Sequence, residues 1–138
     1  MRTALLRQHH HEIASIINDM RRNLLAPQRM SLATAEGLRA NMDVLATKFN
    51  VHLSIEDKGL YPKLNAVPSI APTAHKFAKE MVDIAAAFRE FLSHWETGER
   101  IHAEPSKFVD ECTTVFHTLA RRIEREEKEL YPQADALP

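Results

Sequence analysis

Apolar residues recur every three or four positions along nearly the whole chain, the spacing that gathers them on one face of an α-helix. Leu6, Ile13, Ile17, Met20 and Leu24 form one such stripe. The first helix is predicted over residues 3–26, ending before Pro27, which cannot extend a helical ladder and restricts its predecessor. Ser31 suits the N-cap of a second helix reaching about residue 65. Its stripe runs Leu38, Met42, Leu45, Phe49, His52, Glu56 and Leu60. Pro68 and Pro72 mark the next connection. A third helix is predicted over 73–97, with Ala78, Met81, Val82, Ala85, Phe88, Leu92 and Trp95 facing inward. Gly98 and Pro105 bracket the last connection, and a fourth helix covers 106–133. Phe108, Cys112, Val115, Leu119, Arg122, Glu126 and Leu130 make up its stripe. Long amphipathic helices with short connections imply an all-α, antiparallel up-down-up-down four-helix bundle, a single domain over 1–138.

Composition narrows the function more than the fold. Hydrophobic residues make up 44% and charged residues 27% of the 138, the balance of an ordinary globular domain. The net charge of -1 gives no basic excess of the kind that nucleic acid or an anionic membrane surface attracts. No apolar run is long enough to span a bilayer, and the N-terminus shows no secretory apolar segment. The single cysteine, Cys112, excludes an intrachain disulfide and is expected to be packed rather than reactive, which fits a reducing cytoplasm. The eight histidines are the one departure from a generic helical domain.

Two segments echo each other, Ile55 to Leu64 (IEDKGLYPKL) and Glu124 to Gln133 (EREEKELYPQ), each closing a long helix with Leu-Tyr-Pro. The repeat implies two helix hairpins related by an approximate twofold axis. Polar residues then stand where core residues belong, and burying them costs several kcal/mol unless something pairs with them. His52 and Glu56 differ by about 40° around a helix, so one metal ion can be bound by both. A hydrogen-bonded His–Glu pair on a half-exposed face is the plain alternative. His10 lies three and seven residues before Ile13 and Ile17, His9 competes for that place, and His11 points outward. His75 stands three and seven before Ala78 and Val82, the matching place in the second hairpin. Glu126 is the repeat's counterpart of Glu56. His94, His102 and His117 read as surface residues, Tyr61 and Tyr131 as packing at the bundle ends with redox chemistry beside iron as the alternative, and Arg125 and Glu127 as part of a solvated face.

One histidine on the first helix, HxxxE-[DE]-x-x-LYP on the second, one histidine on the third and E-[DE]-x-x-LYP on the fourth resemble the hemerythrin-like HHE cation-binding family. The resemblance spans essentially the whole chain and is most specific at HLSIEDKGLYP. It implies a bundle holding two non-haem irons, with His10, His52, Glu56, His75 and Glu126 as ligands and the two glutamates as bridges. It further implies binding or sensing of a small ligand such as dioxygen or nitric oxide, or of redox state. Two other classes stay open. One is a diiron enzyme acting on peroxide or nitric oxide; the other is a signalling or scaffold bundle, with a degenerate site or with haem held by a histidine. A signalling partner or a homodimer is compatible with each.

Arg122 breaks the pattern, because the repeat places it opposite His52. Arginine stays charged and cannot ligate a metal. A cation roughly 4 Å from a divalent ion is opposed by about 8 kcal/mol at an effective dielectric of about 20. Arg122 either swings to solvent beside a dinuclear centre, pairs with Glu56 or Glu126 beside a mononuclear one, or replaces the metals with a polar network.

Overall fold

The computed structural model describes residues 3–138, and among these there is helix and no strand. The elements in order are α1 (Ala4–Arg21), a 3₁₀ turn (Pro27–Arg29), α2 (Leu32–Ile55), a first π-helical turn (Glu56–Leu60), α3 (Tyr61–Asn65), α4 (Ala71–His94), α5 (Gly98–Ala103), α6 (Pro105–Arg125), a second π-helical turn (Glu126–Leu130) and α7 (Tyr131–Asp135). α2 runs through its π turn into α3, and α6 through its own into α7, so the four long helices of the expected bundle are present. α1 packs on α2 and on α6, and α4 packs on α6. No helix among the described residues is long and apolar enough to cross a membrane.

The boundaries have local causes. α1 ends at Arg21, short of the predicted position, because i→i+3 bonds from Asn23 to Met20 and from Leu24 to Arg21 tighten the last turn. Ser31 caps α2 by accepting from the Thr34 N–H at 3.1 Å. The expected loop after Gly98 is instead the short helix α5, capped by Thr97, and it places His102 on a helix surface. α5 lies so close to α2 that a Cβ on Gly98 would stand 2.8 Å from the Glu36 Cα. Only glycine allows that approach.

The two π turns explain how proline sits within these helices. Pro62 and Pro132 lack an N–H, and their rings would clash with the carbonyls four residues back. Each ladder therefore widens by one residue. The Tyr61 N–H donates to the Glu56 carbonyl and the Tyr131 N–H to the Glu126 carbonyl, both i→i+5. A fresh helix then starts with proline in its first turn, where a missing N–H costs nothing.

Two apolar clusters fill the bundle. The larger includes Ile13, Ile17, Met42, Phe49, Phe88, Trp95, Phe116 and Leu119. The smaller, at the end bearing the π turns, includes Leu6, Leu60, Tyr61, Phe77, Leu130 and Tyr131. His10 falls between Leu6 and Ile13, His52 between Phe49 and Leu60, and Arg122 between Leu119 and Leu130. A polar layer thus separates the clusters. Cys112 is packed in the larger cluster, and burial pushes its thiol up to about 12.

On α4 the inward face is Ala74, Phe77, Met81, Ala85, Phe88 and Phe91, which corrects the predicted register at its N-terminal end. Val82 is 66% exposed, Ala78 is half-buried and His75 is exposed. On α6, Phe116 takes the inward place expected of Val115.

Candidate metal centre

The polar layer consists of His10 from α1, His52 from α2, Glu56 and Glu126 from the two π turns, and Arg122 from α6, none more than 3% exposed. One ring nitrogen each of His10 and His52 and a Glu126 oxygen form a group of ligand-type atoms all within 4.8 Å of one another. The Nε2 of His10 lies 2.9 Å from Glu126 Oε1, and that of His52 lies 3.5 Å from Glu126 Oε1 and 3.4 Å from Glu56 Oε2.

Tyr131 packs at the end of the bundle as expected, and its hydroxyl also enters the polar layer. At 100° per residue, Glu126 and Tyr131 would stand about 140° apart around a helix. The π turn swings Tyr131 back to the same face. Its ring packs in the smaller cluster, while its hydroxyl donates to Glu56 Oε2 at 2.8 Å and lies 3.2 Å from each of His10 Nε2, His52 Nε2 and Glu126 Oε1. Tyr61, related by the repeat, accepts from the Arg122 guanidinium at 3.0 Å. The paired Leu-Tyr-Pro segments were the available signal for both.

Glu127 also has a role beyond a solvated face. Half-buried, it accepts from His10 Nδ1 at 2.8 Å and pairs with Arg7 at 3.4 Å. A carboxylate on the far nitrogen fixes the ring and leaves Nε2 turned inward, the arrangement usual for a metal-ligating histidine. Arg7 in turn lies over the Tyr131 ring and pairs with Asp135, which the Thr3 hydroxyl also reaches.

Charge in the layer is settled by these contacts. Burial pushes Glu56 up to about 7, reinforced by the Glu126 charge and opposed by His52. Burial alone would raise Glu126 too. Hydrogen bonds from His10, His52 and Glu56, with the Arg122 charge, outweigh it and hold that carboxyl well below the usual range. Burial disfavours a charged His52, yet its bonds to Glu126 and Glu56 prevail and raise it to about 9. One carboxylate is therefore ionised, and its partner tends to keep a proton. Glu56 Oε1 and His52 Nδ1 are buried without hydrogen-bond partners.

Of the residues expected as ligands, His10, His52, Glu56 and Glu126 are brought together and His75 is not. Its ring is on the exposed side of α4, and the residue α4 turns toward the layer is Phe77, whose ring face lies 4.7 Å from the Arg122 guanidinium. Arg122 is inside the bundle, bound to Glu126 Oε2 at 3.2 Å through Nε and through its terminal nitrogen. His9 is half-buried and stands edge-on to His52 at 5.6 Å, outside the ligand group. It borders a cleft of about 220 Å³ with Glu12, Lys48 and Val51. His11 and His117 are exposed and His94 is half-buried.

The donor set fits a metal ion. Two imidazoles and a carboxylate with an open side are the set that non-haem iron takes, and zinc and manganese accept the same donors. An orphaned carboxylate oxygen on Glu56 gives a further donor. A cavity of about 10 Å³ borders His10, His52, Glu126 and Arg122 and is otherwise walled by Ile13, Phe49, Met81, Leu119 and Ile123. That is room for about one water-sized molecule.

Comparison with known proteins agrees with this geometry. A family model described as Hemerythrin HHE cation binding domain matches residues 1–134. No curated protein and no solved structure matches.

Proposed function

We infer the function from one premise: this chain belongs to the hemerythrin HHE cation binding domain family, helical proteins that bind a metal such as iron. Its centre is a non-haem iron site formed by His10, His52 and Glu126 with Glu56 beside them, and it binds or senses a small ligand or the redox state. The observation that carries this reading is the buried group of three ligand atoms within 4.8 Å. The surrounding acceptors support it. One hydroxyl proton, on Tyr131, faces two carboxylates and two imidazoles at 2.8 to 3.2 Å. Two buried carboxylates and two imidazoles packed this closely make a place that is stabilised by cations, whether the protons they hold on His52 and Glu56 or a metal ion.

Each side chain has a part that follows from its surroundings. His10 is oriented by Glu127 and presents Nε2; His52 presents Nε2 from the next helix. Glu126 supplies the permanent negative charge. Tyr131 keeps its proton, since burial and the neighbouring carboxylates hold its hydroxyl far above the usual tyrosine range, and donates it to Glu56 at 2.8 Å. Bound iron would supply an open coordination position and a change of oxidation state. The cavity of about 10 Å³ beside these residues has room for a small ligand of about the size of a water molecule. The same volume disfavours haem, whose macrocycle needs far more room than the layer offers.

Metal content measured on full-length protein purified without chelators tests the reading. Iron should co-purify or bind on anaerobic addition of Fe(II), and His52→Ala should lose most of it while remaining helical. Full occupancy in His52→Ala would refute the ligand assignment. Addition of nitric oxide to the ferrous protein should then change its visible spectrum, and an unchanged spectrum would remove the small-ligand part of the proposal.

A further inference from the structure

We infer that this centre takes a single metal ion and that the Arg122 guanidinium is a built-in cation in the place a second ion would need. The inference rests on the metal reading above and adds its stoichiometry. Glu126 carries the argument, because its two oxygens serve two different cation places. Oε1 faces His10 and His52 at 2.9 and 3.5 Å, while Oε2 faces Arg122 at 3.2 Å. A carboxylate that could bridge two ions bridges instead one ion's place and a fixed guanidinium.

Arg122 is held as a permanent part of the core. It is 3% exposed, donates to the Tyr61 hydroxyl at 3.0 Å and has its face covered by Phe77. Glu80 stands 3.7 Å from another of its nitrogens and is itself pinned by Arg125 at 2.7 Å. These partners have opposite charge, an acceptor lone pair or a ring face, each of which suits a guanidinium. On this side of Glu126 neither α4 nor α6 offers an imidazole. Phe77 and Arg122 hold the inward places, while His75 and His117 are exposed.

The consequence is electronic as well as numerical. An arginine cannot change oxidation state, so the centre exchanges one electron per chain where a pair of irons would exchange two. Oxidation of one Fe(II) to Fe(III) reduces one equivalent of added ferricyanide to ferrocyanide.

The test loads the full-length chain anaerobically with Fe(II), removes excess, counts bound iron by elemental analysis and titrates it with ferricyanide. One iron and one oxidising equivalent per chain are expected. Two irons in the unmodified protein would overturn this inference and leave the metal reading standing. No iron would overturn both. A chain carrying Phe77→His and Arg122→His should bind close to two. If it stays at one with unchanged helix content, the guanidinium is not what excludes the second ion and the inference fails. Should that variant not fold, the count on the unmodified chain decides alone.

Discussion

At the scale of single residues, the centre turns on how a few protons are shared. Tyr131 makes the shorter of two contacts to Glu56 Oε2, at 2.8 Å against 3.4 Å from His52, and Tyr131→Phe removes it while keeping the ring that fills the smaller cluster. A buried acceptor left without its donor costs about 1–3 kcal/mol. Metal-free Tyr131→Phe should therefore unfold at a lower temperature than the parent protein. A bound ion gives the carboxylates another partner, so the gap should narrow when metal is present. Equal gaps in both states, measured by thermal denaturation, would mean that Tyr131 does not serve the centre. Glu127→Gln makes a second test, since it removes the charge that holds the far nitrogen of His10. Partners of this kind typically change metal affinity by about 10–100-fold. Competition with a chelator of known affinity should show a loss in that range, and an unchanged affinity would make Glu127 merely a partner of Arg7.

Part of this layer was legible in the residues and part was not. His10, His52, Glu56 and Glu126 interrupt apolar stripes at helical spacing, and an interruption of that kind is visible in one sequence. His75 was misplaced because α4 is apolar on too many sides. Phe77, Ala78, Met81, Val82, Ile84 and Ala85 allow two stripes, one through Ala78 and Val82 and one through Phe77 and Met81. The choice between them is tertiary. The guanidinium of Arg122 takes the aromatic face of Phe77, and a contact across helices leaves no periodic trace. The contacts of Glu127 and of the Tyr131 hydroxyl are hidden for a different reason, since a constant 100° per residue sets these residues about 100° and 140° away from Glu126.

At the scale of elements, the π turns account for the place of Tyr131 and show what Leu-Tyr-Pro does. Proline displaces the carbonyl ladder, the turn widens, and a tyrosine five residues after a glutamate returns to its side. Both copies do this, so two glutamates and two tyrosine hydroxyls reach one layer from two helices. π turns in general concentrate at functional sites, and here the local cause is explicit. The hydrophobic period was a sound guide to the helices because it is set by the nearest neighbours on each face. The extra helix α5 could not be read from it, being too short for a period to show. Its close approach to α2 is testable through Gly98→Ala, whose Cβ would meet the Glu36 backbone. Overpacking of this kind costs about 1–3 kcal/mol. Denaturant midpoints should fall accordingly with metal binding unaffected. A neutral or stabilising result would mean that α5 is free to shift away from α2.

At the scale of the whole molecule, two hairpins that echo each other in sequence are unequal in chemistry. The first contributes imidazoles from both helices; the second contributes a phenyl ring and a guanidinium. The bundle keeps its two apolar clusters and spends the layer between them on charge, which must be balanced by protons or by metal. This ties stability to pH in a definite direction. His52 in the folded, metal-free protein is raised from 6.5 to about 9. The stability it contributes is complete below about pH 6.5 and lost as pH rises through 9. Glu56, raised from 4.5 to about 7, contributes in the same sense, complete below 4.5 and lost through 7. Glu126 is depressed, so its contribution is already complete above 4.5 and does not change over this window. These two groups weaken the metal-free protein from about pH 4.5 to 9, opposed below about 6.5 only by His9, which burial holds below its usual range. An ion binding the same atoms displaces those protons, so its affinity rises with pH. The increase in melting temperature on adding Fe(II) or Zn(II) should be larger at pH 8.5 than at pH 6, with protons released to the buffer on binding. An increase that shrinks with pH would place the ion on groups other than His52 and Glu56.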